Sequence, residues 1–162
     1  MLFVATEVLG IETMEQALTD DGWKIGIFFA LQAGIGSIGV AFAGKVARRI
    51  PLGTMYLLGL ILLGGGFLAV ALIASWLSVV PAGAAITGVT FVNVALVTLR
   101  QRLAPPEQMG RVIAASRTFA WAGLPAGAAI GGLLAGWFGV VPVYVAGSVG
   151  VLVVAVFLAT TP

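Results

Sequence analysis

Five apolar runs, each long enough to cross a bilayer, leave this 162-residue chain very few ways to fold. About 20 apolar residues in helical form cover the roughly 30 Å of hydrocarbon in a membrane. Residues 22–44 meet that length with Lys24 as their only charge. Residues 52–75 and 77–99 carry no charge, and a tight reversal at Ser75-Trp76-Leu77 separates them. Residues 112–138 hold Arg117 near their start, and residues 140–160 complete the set. Lipid offers no partner for an unpaired backbone group, and no alternating barrel pattern is visible, so each run is predicted to be a helix. The expected fold class is all-α, a polytopic transmembrane helix bundle. Met1–Ala5 is apolar but too short to cross, and without a basic flank it is not a signal peptide.

The composition closes off other classes. Hydrophobic residues make up 60% of the chain and charged residues 9%, against about 25% charged in a soluble domain. The chain has no His and no Cys. The commonest general base, the commonest metal ligands and any disulfide are therefore absent, and neither a metal nor a cofactor is expected. No candidate nucleophile has a His, Lys or carboxylate beside it within the hydrocarbon, so the chain does not read as an enzyme and has no catalytic residues to name. Eight basic residues with few aromatics among them make a poor nucleic-acid stripe. The partner implied is the lipid bilayer.

The charges give an orientation. Lys45, Arg48 and Arg49 lie between the first two runs, and Arg100, Arg102 and Arg111 between the third and fourth. Glu7, Glu12, Glu15, Asp20 and Asp21 lie at the other side, with Lys24 as the only base there. The positive-inside rule then makes the basic side cytoplasmic, with residues 1–21 outside and the C-terminus inside, in the cytoplasmic (inner) membrane. An acidic external N-terminus without an export signal makes sense if an upstream span precedes it, with Met1–Ala5 as the last turn of that span.

Within the first run, Gly34-Ile35-Gly36-Ser37-Ile38-Gly39 spells G-x-G-x-x-G. A dinucleotide site needs a strand before the motif and an acidic residue about 20 positions after it. Here no Asp or Glu occurs between Asp21 and Glu107. Small residues spaced by four instead let helix backbones approach closely. Ala33, Ser37 and Ala41 form one such row, and Ala30 with Gly34 another. The fourth run has a longer one, Gly123, Gly127, Gly131 and Ala135, with Gly132 and Gly136 beside it. Pro125 interrupts the hydrogen-bond ladder there, so a bend is expected. The row serves either a static interface or a surface on which helix groups slide.

Polar residues are unevenly shared. Run one has Gln32 and Ser37; run three has Thr87, Thr90, Asn93 and Thr98; run four has Ser116, Arg117 and Thr118. Runs two and five are nearly bare. Amides at membrane depth face a bundle interior or a watery cavity, so runs one, three and four read as cavity-side helices and runs two and five as lipid-facing supports. A bulky residue at Gly64 in run two is therefore expected to be mild. Gln32 and Asn93 make an interhelical hydrogen bond or line a pathway. Arg117 snorkels to the headgroups, or serves as a gate or anion contact.

Residues 98–139, TLRQRLAPPEQMGRVIAASRTFAWAGLPAGAAIGGLLAGWFG, resemble the tenth-to-eleventh helix connection of major facilitator superfamily (MFS) exporters. The branch is that of enterobactin and macrolide exporters, with the pattern Q-R-x-x-P, G-R-V, P-x-G and G-G. Gln101, Arg102, Pro105, Gly110, Arg111, Val112, Pro125, Gly127, Gly131 and Gly132 occupy those positions. Residues 44–53, GKVARRIPLG, resemble the superfamily's G-x-x-x-D-R-x-G-R-R loop through Gly44 and Arg49. Arg48 stands at its Asp and Pro51 at its Gly, which puts a gating role for that loop in doubt. Residues 6–10, TEVLG, resemble the end of helix seven. The resemblance implies the C-terminal half of an MFS fold, with residues 22–162 as helices eight to twelve.

The resemblance also implies that the glycine row meets a moving interface. The N-terminal half of the same transporter would then be a partner, a small-molecule substrate would pass between the halves, and export would be driven by protons. Pathway candidates are Gln32, Thr87, Thr90, Asn93 and Arg117; interface candidates are Gly34, Ser37, Gly123, Pro125, Gly127 and Gly131; the cytoplasmic-loop motif is Gly44, Arg49, Arg102, Gly110 and Arg111. The alternative is a small membrane protein that self-assembles through its glycine faces and transports nothing.

Overall fold

A computed structural model describes residues 22–73, 76–103 and 109–160 of the chain. The described residues form five long α-helices and one 3-10 turn at Trp76–Ser78. We label the helices α1 (Gly22–Arg49), α2 (Leu52–Leu72), α3 (Val79–Leu103), α4 (Met109–Phe138) and α5 (Val140–Thr160). All five are long and apolar enough to span a membrane. The all-α reading from hydropathy holds. The Glu- and Asp-rich residues 1–21, the TEVLG stretch, Pro105 and Glu107 lie outside the described residues.

Helix ends follow backbone chemistry, and the basic ends of α1, α3 and α4 overrun the apolar runs. α1 continues past Gly44 through Arg48 and Arg49, because arginine is a good helix former and its head can reach the interface. It ends where Pro51 disfavours the helical region for Ile50. The Ile50 amide donates to the Val46 carbonyl at 3.1 Å. Pro51 then opens α2 from an extended conformation (φ −57°, ψ 146°), its carbonyl accepting from the Met55 amide at 3.0 Å. Between α4 and α5 the whole connection is Gly139, at φ 85°. Its amide donates to the Ala135 carbonyl at 2.9 Å, a left-handed cap that glycine adopts without steric cost. α4 runs through Pro125 as one helix.

The packing corrects the sequence reading of α2. With α3 it forms the centre of the described residues: α2 packs most extensively on α3 and also against α5, while α1 packs on α3. Met55, Gly59, Leu60, Gly64, Gly66 and Val70 are buried along it. A Cβ added at Gly64 would lie 2.9 Å from Leu152 Cγ and 3.1 Å from the Ser148 carbonyl oxygen. Gly64 therefore faces α5 and not lipid. Scarcity of polar groups misled because lipid tails are as apolar as leucine, so an apolar helix gains nothing by facing them rather than its neighbours.

Glycine also sets the α2–α3 approach. A Cβ at Gly88 would sit 2.6 Å from the Gly59 oxygen, and one at Gly59 would sit 2.9 Å from the Gly88 oxygen. A Cβ at Gly66 would meet the Pro81 oxygen at 2.6 Å. Phe67 on α2 and Tyr144 on α5 stack edge to face with centroids 5.6 Å apart. Met55, wholly buried, joins Ala43 and Phe91 in a cluster that ties α1, α2 and α3 together.

Candidate functional site

The polar side chains of the spans mostly satisfy themselves. Thr87 Oγ1 donates to the Gly83 carbonyl and Thr90 Oγ1 to the Ile86 carbonyl, both at 3.2 Å. Asn93 Nδ2 donates to the Val89 carbonyl at 2.9 Å, and Ser37 Oγ to the Ala33 carbonyl at 2.7 Å. Each bond reaches back one turn in its own helix, which lets a short polar group sit in an apolar span without a partner helix. Asn93 thus makes its bond within α3, on an exposed face.

Gln32 differs. It is 4% exposed, and its Oε1 is buried without a hydrogen-bond partner among the described residues. The residue lies in the α1–α3 seam, where a Cβ added at Gly83 would be 3.3 Å from the Gln32 backbone oxygen. The Ser78 hydroxyl, at the entry to α3, is the other buried polar group without a partner among the described residues.

The seam brings two of the pathway candidates together. Gly36 meets Ile86, with an added Cβ 2.7 Å from Ile86 Cγ2, and a Cβ at Gly39 would overlap Thr87. Gln32 and Thr87 therefore both border the Gly83 turn. Thr90 is half-buried, whereas Asn93 and Arg117 are exposed on separate helices. Sequence reasoning selected Gly34 and Ser37 as the packing face of α1, but Ser37 is exposed and a Cβ at Gly34 would meet nothing within 4 Å. Gly36 and Gly39 do the packing within this chain. The signal that could have found them is their phase with Phe28, Gln32 and Ala43, the other buried residues of the helix.

α4 is the opposite of α2. It has no buried residue among those described, and an added Cβ at Gly123, Gly127, Gly131, Gly132 or Gly136 would find nothing within 4 Å. Gly127 and Gly131 wall a groove of about 590 Å³ shared with Pro142, Ala146 and Gly147 of α5. Pro125 lies on the exposed part of this helix. At the other end of the bundle Gly44, Arg49, Arg102, Gly110 and Arg111 are all exposed. Every acidic residue of the chain lies outside the described residues, so the cations there have no carboxylate beside them among those described. No cluster of three metal-ligating side chains occurs among the described residues.

A family model described as Major Facilitator Superfamily matches residues 3–162, nearly the whole chain. The chain belongs to the major facilitator superfamily. No curated protein and no solved structure matches it. Membership makes the five spans part of a multi-pass transporter fold. In such folds substrate sites lie between repeats of helices near the bilayer midplane.

Proposed function

We propose that the chain supplies helices eight to twelve of an MFS secondary transporter that exports small molecules of drug or siderophore type by alternating access. The uncovered α4 carries this reading: a 30-residue apolar helix whose glycines would meet nothing within 4 Å of an added Cβ among the described residues is a surface made for another helix layer. The small residues Ala33, Ser37 and Ala41, exposed on α1, offer a second such face. The other layer is the transporter's N-terminal half, and the substrate passes between them. Gln32, Thr87, Thr90, Asn93 and Arg117 supply this half's polar contacts along the route. The glycine positions Gly34, Gly123, Gly127 and Gly131, with Ser37 and Pro125, form the face that rocks.

Proton antiport fits the branch resembled by residues 98–139. No Asp or Glu occurs in α1 to α5, so the coupling carboxylate lies elsewhere in the carrier. The basic ends of α1 and α3 set the orientation, with the C-terminus on the cytoplasmic face of the inner membrane.

Co-expression provides the test. The 162-residue chain alone, in a host deleted for related exporters, is expected to insert and to export no dye, macrolide or siderophore. A second polypeptide carrying helices one to seven of an MFS exporter should restore measurable efflux, because the missing contacts are noncovalent. Robust efflux by the chain alone would sink the reading and favour a self-assembling transporter. Stable homodimers that gain nothing from the second polypeptide would favour association through the glycine faces without transport.

A further inference from the structure

An apolar groove of about 300 Å³ opens between the start of α2 and the end of α3, lined by Leu52, Gly53, Tyr56, Ala95, Leu96 and Leu99. It lies at the basic end of the bundle. Arg100 follows Leu99 directly in the chain, and Arg49 precedes Leu52 by three residues, with Arg48 and Arg102 alongside. Among the described residues these four arginines make no ion pair, and Arg48 Nε donates to the Gly44 carbonyl of its own helix at 3.3 Å. Four arginines with no carboxylate among the described residues, next in the chain to the ends of a groove with almost no polar lining, make an unbalanced arrangement. An aqueous anion would satisfy the charge but not the groove. A neutral hydrocarbon would fill the groove but not the charge.

We infer that this groove binds an anionic phospholipid of the adjoining leaflet, one acyl chain lying along Tyr56, Leu96 and Leu99 and the phosphate held by Arg49 and Arg100. Charge complementarity selects the occupant: guanidinium groups pair two-pronged with phosphate oxygens, and basic pockets between helices are the recognised sites for acidic headgroups. Gly53 leaves room for the headgroup, since an added Cβ there would meet nothing within 4 Å. The unpaired amides of the first turn of α2, uncapped by any side chain, add donors at the same level. Tyr56 stands where an amphipathic ring marks the membrane interface.

Native mass spectrometry of the purified 162-residue chain in neutral detergent tests the site, with dioleoylphosphatidylglycerol and dioleoylphosphatidylcholine as probes of identical tails. The glycerol lipid should bind at least tenfold more tightly. Arg49→Gln with Arg100→Gln should abolish that preference, about tenfold or more for two cations. Gly53→Leu, which fills open space and leaves every charge in place, should weaken both lipids. Arg111→Gln, on α4, which contributes no lining residue to the groove, should stay within twofold. Equal loss in Arg111→Gln and in the double variant would reduce the effect to diffuse attraction and overturn the site. So would an unaltered preference in the double variant, provided its helical circular dichroism matches that of the parent. Displacement of the lipid by millimolar glycerol phosphate would show a free-phosphate site in its place.

Discussion

Gln32 carries an amide oxygen into a seam where no described residue donates to it. An unpaired buried acceptor costs about 1–3 kcal/mol, whereas an apolar side chain of similar size costs nothing comparable at the same place. Gln32→Leu should therefore stabilise the isolated chain by about that amount, read as a higher SDS-unfolding midpoint. On the proposed reading that Gln32 contributes to the substrate route, the same substitution should also impair export in the reconstituted carrier. A destabilised Gln32→Leu chain would show that the oxygen is already satisfied. The threonines predict the contrast at the same scale. Thr87 and Thr90 close their bonds within α3, so neither tells from its sequence position whether it faces a pathway.

At the scale of elements, α2 and α4 exchange the roles that their polar content suggests. α2 holds almost no polar side chain yet packs closely along both α3 and α5; α4 holds Ser116, Arg117 and Thr118 and has no buried residue among those described. Burying a bulky side chain in a tight helix crossing costs about 1–3 kcal/mol or more when backbone atoms form the opposing wall. Gly64→Leu meets Leu152 and the Ser148 carbonyl and should lower the stability of the isolated chain by that amount. A Cβ at Gly127 would meet nothing within 4 Å and the open groove beside it has room for more, so Gly127→Leu should leave the isolated chain's stability unchanged, within about 0.5 kcal/mol as for ordinary surface positions. In the paired carrier Gly127→Leu should block efflux. Equal destabilisation by both substitutions in SDS titration would refute the assignment of the two helices. The end of α4 was legible in outline, since a glycine between two apolar runs is a natural cap, but its left-handed φ at Gly139 belongs to the folded chain.

For the molecule as a whole, the arrangement of charge predicts topology. Cysteines introduced at Ala47 and Ala104 should both resist an impermeant thiol reagent added outside the cell, while one at Thr19 should react. The native chain has no cysteine to confuse the readout. External labelling at Ala47 would invert the orientation. Six cations at the basic connections against a single lysine at the other side make the expectation strong, because loop Lys and Arg bias insertion while acidic groups matter little.

Hydropathy along the chain determined the number of spans, their helical form and their order, because each membrane helix satisfies its own backbone and needs no neighbour to exist. The motifs of residues 98–139 pointed to the superfamily for a related reason: they are local patterns of Gly, Pro and Arg, readable in one dimension. Which face of each helix is covered was decided only by the tertiary structure. In water, apolar residues mark the buried face; in lipid both faces are apolar, and contact depends on shape. The Gly59–Gly88 crossing, the enclosure of Gly64 and the bareness of Gly127 arise from where backbones meet. The spacing of small residues told that some helices approach closely, but not which ones. That choice rests on packing between helices distant in sequence, and the stranding of Gln32 Oε1 follows from the same packing.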